Sequence, residues 1–215
     1  MKLLSKKVCV EALDRLRAAY PEAACALFHG SAFELLVAVV LSAQTTDKSV
    51  NAVSGELFGT YPDAAALAGA EEADLQRILK RIGLYKTKSK NIKALARRLC
   101  EAFGGAVPDS FTDLVSLPGV GRKSANVVLS VAFGRQRIAV DTHVFRVANR
   151  IGFCREDDVL KTELALMKRL PEARWSEAHH SLIFHGRQRC HARKPDCEDC
   201  ALNGLCRGKP WTNGN

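Results

Sequence analysis

The sequence predicts an all-α protein of roughly ten helices, on three observations. Apolar residues recur at helical spacing along most of the chain, connections are short and carry Gly or Pro, and clear strand-like alternation is missing. The first marked element is the apolar run from Leu35 to Leu41, preceded by Glu34. It is too short to cross a bilayer and reads as a helix buried on all sides. Ile92, Leu95, Ala96, Leu99 and Phe103 form a stripe on a longer helix, whose polar face carries Lys90, Lys93, Arg97 and Arg98. Ser110 and Asp113 resemble a capping box opening the next helix, and Ala125, Val127, Val128, Val131 and Ala132 mark the one after it. Val144, Val147, Ala148 and Ile151 give another stripe, and Leu160, Leu164 and Met167 one more. Gly and Pro punctuate residues 59–62, 104–108 and 118–121. There is no low-complexity linker and no convincing internal repeat.

The chain has 215 residues and 47% hydrophobic content, enough for a real core in one large or two small domains. Against 23 Asp and Glu stand 32 Lys and Arg, a formal charge of +9, which favours a polyanionic partner. No apolar run follows the basic opening at Lys2, Lys6 and Lys7, so no secretory signal is expected. A reducing cytosol is the expected compartment. Of eight cysteines, Cys9, Cys25, Cys100 and Cys154 are scattered and read as buried small hydrophobes.

The other four follow the spacing Cys190-x6-Cys197-x2-Cys200-x5-Cys206, within a segment from Gln188 to Pro210 that has too few large apolar residues for a core of its own. Clustered thiols in a reducing compartment suggest metal rather than disulfides. The spacing suits zinc or an iron–sulfur centre; outer gaps of six and five residues fit the larger object better. Arg193 and Lys194 lie in the first loop, where a pinned backbone would present them either to phosphate or simply to water.

Leu117, Pro118, Gly119, Val120 and Gly121 sit between two helical patterns. The glycines permit a tight turn, and the amides at the start of the following helix form an anion site suited to a DNA phosphate. Lys123 follows at the mouth of the turn. It reads either as one more phosphate contact or as a nucleophile able to form a Schiff base at a sugar C1′. That reaction needs the neutral amine, which the helix N-terminus and adjacent Arg122 both favour. Asp141 precedes the stripe that begins at Val144. It reads as an N-cap, and equally as a carboxylate that stabilises positive charge on a sugar or takes a proton from the lysine; both readings can hold together.

In sum these segments resemble the endonuclease III family of DNA glycosylases. Leu117 to Asn126 resembles its helix–hairpin–helix with the catalytic lysine, Ala139 to Arg146 its catalytic aspartate segment, and the cysteine spacing its [4Fe–4S] motif. Leu41 to Asp47 and Ile82 to Tyr85 are similar to two further family segments, so the likeness covers nearly the whole chain. Thr45 and Ser181 depart from the pattern, at positions with no expected role. The resemblance implies two helical domains flanking a DNA-binding cleft. Residues 25–135 would form a barrel-like domain with the hairpin at about 109–128, and residues 1–24 with 136–215 would form the cluster domain. It implies a bifunctional glycosylase/AP lyase that flips a damaged nucleotide out of double-stranded DNA. Lys123 would displace an oxidised pyrimidine and β-elimination would cut 3′ to the abasic site, with Asp141 as the catalytic carboxylate. Gln44 would fill the vacated space, Leu84 would wedge near the opposite strand, and Gly119, Gly121, Arg122, His143, Arg193 and Lys194 would contact DNA. A monomer at a bacterial or archaeal nucleoid is the expected working form. Two other readings stay open. A monofunctional mismatch glycosylase would lack Lys123, would carry Glu near apolar Val39 and would continue into a further domain, whereas this chain reaches Asn215 soon after Cys206. A non-catalytic DNA-binding module would have no use for Lys123 paired with Asp141.

Overall fold

A computed structural model of the protein describes residues 3–208, so Met1, Lys2 and residues from Lys209 onward, Pro210 of the cysteine-rich segment included, lie outside the described residues. Eleven α-helices and one 3-10 turn make up the regular structure, and no strand occurs among the described residues. The chain divides into two compact units, one of Ala26–Arg135 and one of Met1–Cys25 with Gln136–Asn215.

In the unit of Ala26–Arg135, α2 (Ala32–Leu41) follows α1 (Lys6–Ala19) of the other unit in chain order. Ser31 caps it by accepting from Glu34 N–H at 3.1 Å, and the Glu34 carboxylate reaches back to accept from Gly30 N–H at 2.7 Å. That reciprocal cap fixes the start of a helix whose Phe33 and Leu35 through Leu41 are all buried. The helices α3 (Asp47–Thr60), α6 (Tyr85–Phe103) and α8 (Arg122–Val131) pack on it. Two short helices, α4 (Ala64–Gly69) and α5 (Glu72–Leu79), pack on α6, and α7 (Phe111–Val115) packs on α8. The α6 stripe is as expected over Ile92, Leu95, Ala96 and Leu99, but it begins one turn earlier, with Lys88 and Ser89 also buried.

In the other unit, α1 (Lys6–Ala19), α9 (Thr142–Ile151), α10 (Val159–Arg169) and α11 (Trp175–Gln188) surround one apolar core. The Val144, Val147, Ala148 and Ile151 stripe is buried as its spacing predicts. Gly186 of α11 lets α9 approach closely, because a Cβ there would stand 3.1 Å from both His143 Cβ and Val147 Cγ2. The stripe expected on α10 is not the buried one. Leu160 and Leu164 are exposed, Met167 only partly covered, and the helix buries Thr162, Glu163 and Leu166 instead. A spacing of three or four residues marks a helix face, and the neighbouring elements decide which face is covered. Cys9 and Cys154 are buried as expected, whereas Cys25 and Cys100 are half-buried.

Replacing fully buried Leu36 of α2 by Ala should destabilise the protein by roughly 2–5 kcal/mol in urea unfolding. Leu164→Ala, at a side chain 53% exposed, should shift stability by less than about 0.5 kcal/mol. Equal effects would contradict this assignment of the α10 face.

Candidate active site

The hairpin is built from a capped short helix and a forced turn. Ser110 accepts from Asp113 N–H at 3.4 Å to start α7, and Leu114, Leu117 and Val120 are buried beneath the turn. Val120 N–H donates to Leu117 C=O at 3.1 Å, and Gly119 inside this turn has φ of 78°. A side chain there would be strained and would meet Val40 Cγ1 at 3.2 Å, with Asn91 Cβ at 3.7 Å. Gly121 is the N-cap of α8 and makes no side-chain cap, so the amides of Arg122 and Lys123 open the helix without intrahelical acceptors. Arg122 lies with its guanidinium carbon 5.1 Å from the Phe111 ring centroid, which ties α8 to α7. The next residue, Lys123, is exposed in the first turn, and its ammonium has no hydrogen bond or ion pair among the described residues.

Gln44 and Leu84 belong to the same unit and share an unusual backbone. Among the described residues only Gln44, Leu84 and Lys194 are non-glycine residues with positive φ, at 54°, 58° and 48°. Each such conformation costs about 1–3 kcal/mol and persists where the surroundings impose it. Gln44 is exposed in a turn closed by Thr45 N–H donating to Ser42 C=O at 3.1 Å. Leu84 is the uncapped N-cap of α6 and is 61% exposed, unusual for a large apolar side chain.

Asp141 and His143 lie in the other unit. Asp141 is the N-cap of α9, with Oδ1 accepting from Val144 N–H at 2.7 Å and Oδ2 without a partner among the described residues. His143 is half-buried, and burial pushes its pKa below the usual histidine value, so the ring is neutral at neutral pH. Arg146 Nη2 donates to its Nδ1 at 3.2 Å.

The four cysteines come together. Cys190, Cys197, Cys200 and Cys206 line one cavity of about 350 Å³, and no three His, Cys, Asp or Glu among the described residues stand close enough to share a single metal ion. The donors around them suit thiolates. Arg150 Nη1 lies 3.5 Å from Cys190 Sγ, Leu202 N–H donates to Cys200 Sγ and Gly208 N–H to Cys206 Sγ, both at 3.4 Å. Tyr20 OH and His185 Nδ1 share a hydrogen bond of 2.9 Å, and His185 Nε2 lies 3.7 Å from Cys200 Sγ. A room of this size, with four sulfurs and convergent N–H donors, fits a polynuclear cluster. Arg193 and Lys194 are exposed on the loop after Cys190.

Sequence reasoning missed the residues that hold these pieces. Arg146 donates to Cys190 C=O at 3.0 Å and Gly186 C=O at 2.9 Å, and Arg150 to His191 C=O at 2.6 Å and Ala192 C=O at 3.1 Å. Their four-residue spacing beside the α9 stripe was the available signal. Lys88 was missed too; it lies on the apolar stripe of α6 four residues before Ile92 and donates to the Thr45 hydroxyl.

The HhH-GPD superfamily of base excision DNA repair proteins matches residues 37–172, and the iron–sulfur binding domain of endonuclease III matches residues 190–206. The chain is 48% identical over 206 residues to endonuclease III of Bacillus subtilis, covering 95% of this chain and 94% of that one. It is 44% identical over 206 residues to endonuclease III of Escherichia coli K12, covering 96% and 98%. A trapped covalent intermediate of endonuclease III with DNA superposes with a TM-score of 0.90 at 47% identity, covering 95% of this chain and 97% of that one. The cofactor of the chain is accordingly a [4Fe–4S] cluster.

Arg150→Ala removes the clamp on the cluster loop. It should lower stability by roughly 1.5–3 kcal/mol and speed the loss of visible cluster absorbance under chelator several-fold. An unchanged bleaching rate would show that the loop does not depend on this arginine.

Proposed function

The chain belongs to the endonuclease III family of the HhH-GPD superfamily of base excision DNA repair proteins, and on that footing we propose that Lys123 is the nucleophile and Asp141 the carboxylate of its DNA glycosylase/AP lyase reaction. The observation that carries this reading is the exposed, unpartnered Lys123 in the first turn of α8, directly after the Gly119–Gly121 turn.

The substrate is double-stranded DNA carrying an oxidised pyrimidine or an abasic site. The hairpin amides beyond Gly119 and Gly121 bind a backbone phosphate together with Arg122, a contact blind to sequence. Gln44 and Leu84 enter the helix as the damaged nucleotide swings out, and His143 contacts the strand near the reacting sugar. Asp141 Oδ2 takes a proton from the Lys123 ammonium, and the freed Nζ lone pair attacks C1′. The N-glycosidic bond breaks, and the base leaves with the bonding electrons and takes up the proton that Asp141 carries. Asp141, ionised again by that transfer, stabilises the positive charge on the sugar. Ring opening gives an iminium between C1′ and Nζ, which makes the C2′ proton acidic. Its removal expels the 3′ phosphate by breaking the C3′–O bond. Water then hydrolyses the iminium and returns Lys123.

Cys190, Cys197, Cys200 and Cys206 hold the cluster, whose contribution is a covalent tie across a segment with little core of its own. Arg193 and Lys194, on the loop so tied, contact phosphate. The protein works as a monomer with one active site, in the cytoplasm at the nucleoid. No helix among the described residues is long and apolar enough to cross a membrane.

Borohydride reduction during turnover of duplex DNA with an oxidised pyrimidine should trap a covalent adduct with the wild type and none with Lys123→Ala. Adducts with both would move the nucleophile elsewhere. Base release without an adduct would favour a hydrolase, and no reaction a binding module. Asn is also a preferred N-cap, so Asp141→Asn should leave thermal stability within about 1 kcal/mol while lowering the single-turnover rate by about 100-fold or more. Parallel loss of stability and rate would reduce Asp141 to a cap.

A further inference from the structure

Lys88 is 4% exposed, among the most buried charged side chains described. It forms no ion pair among the described residues, and its one hydrogen bond goes to the Thr45 hydroxyl. Burial alone pushes its pKa below the ordinary lysine value. An ammonium has three donors, so one hydroxyl satisfies it poorly. A methionine would occupy similar space without desolvating a charge. The charge therefore does not serve stability, and its location suggests what it does serve.

Lys88 lies one helical turn beyond Leu84, and its N–H donates to Leu84 C=O at 3.0 Å. Its side chain ends on Thr45, the residue after Gln44. It thus spans the only two non-glycine residues of this unit held at positive φ. Both belong to exposed ends that lack a cap strong enough to hold them. Leu84 makes no side-chain cap, and the Gln44 turn is closed by a single backbone bond of 3.1 Å. Strained backbone persists only where neighbouring groups impose it.

We propose that Lys88 is a positioning residue that clamps the Gln44 turn to the Leu84 end of α6, presenting both side chains to DNA as one preset pair. The inference rests on the reading that Gln44 and Leu84 enter the helix. Thr45 supplies the acceptor, giving a role to a position whose departure from the family pattern had none.

The test uses the full-length, cluster-loaded protein and two duplexes, one undamaged and one with a tetrahydrofuran abasic analogue that cannot form a Schiff base. Lys88→Met should weaken binding to the abasic duplex about tenfold, equivalent to about 1.4 kcal/mol, with undamaged binding within about twofold and Tm unchanged or raised. Thr45→Val, which leaves α6 untouched, should act in the same direction, and Lys88→Arg should restore part of the discrimination. A fall in Tm with parallel loss on both duplexes would make Lys88 structural and overturn the proposal. So would full discrimination in Lys88→Met while Gln44→Ala and Leu84→Ala lose it. Full discrimination in Gln44→Ala and Leu84→Ala would instead overturn the underlying reading, and the proposal with it.

Discussion

A helix that is apolar all round has to be enclosed, and α2 sets that demand on its unit. Its residues from Leu35 to Leu41 are buried, so no face of it can be given to water. The helices α3, α6 and α8 supply the enclosure. The hairpin closes against its C-terminal end, where Gly119 stands 3.2 Å from Val40 by its notional Cβ and 3.7 Å from Asn91 of α6. Gln44 lies one turn beyond Val40, and Leu84 opens the helix that carries Asn91. The demand to bury α2 therefore gathers the lysine-bearing hairpin, the Gln44 turn and the Leu84 end of α6 into one packed body. A displacement of α2 would disturb all three.

The backbone around these groups is not relaxed. Among the described residues, three non-glycine residues sit in the left-handed region, at about 1–3 kcal/mol each, and each carries an exposed side chain rather than one in the core. The restraint takes different forms. At Gln44 and Leu84 it is a buried lysine reaching a threonine hydroxyl, itself a stability cost. At Lys194 it is the cluster segment, whose carbonyls at Cys190, His191 and Ala192 are gathered by Arg146 and Arg150 of α9. Loops with little apolar surface are held by directed polar bonds because burial cannot hold them.

What the sequence made legible follows the same division. The apolar run located α2 and periodicity located α6 and α9, because their apolar residues face packed neighbours, and the glycines of the hairpin announced a turn in which Gly119 takes a left-handed backbone. Periodicity misled at α10, where Leu160 and Leu164 keep the spacing of a core stripe yet face outward. Local pattern reports amphipathicity, while burial depends on elements distant in the chain. Lys88 was legible as a residue out of place on an apolar stripe, but its acceptor lies 43 residues away, at Thr45, and no local rule joins them. The arginines of α9 escaped for a similar reason, since their acceptors are backbone carbonyls some forty residues on.

Asp141 shows how a capping role leaves room for the chemical role proposed for it. A carboxylate has two oxygens, and the cap occupies one of them. The bond from Val144 N–H at 2.7 Å fixes the side-chain torsions, so the second oxygen is held in place without further ordering. A carboxylate on a longer, uncapped side chain would have to be ordered at each turnover, and part of the charge stabilisation would be lost to that ordering. Placing the group at a helix start makes folding do the positioning. The same logic applies to Lys123 in the first turn of α8: the hairpin glycines fix where the helix begins, and the beginning of the helix fixes where the amine can reach.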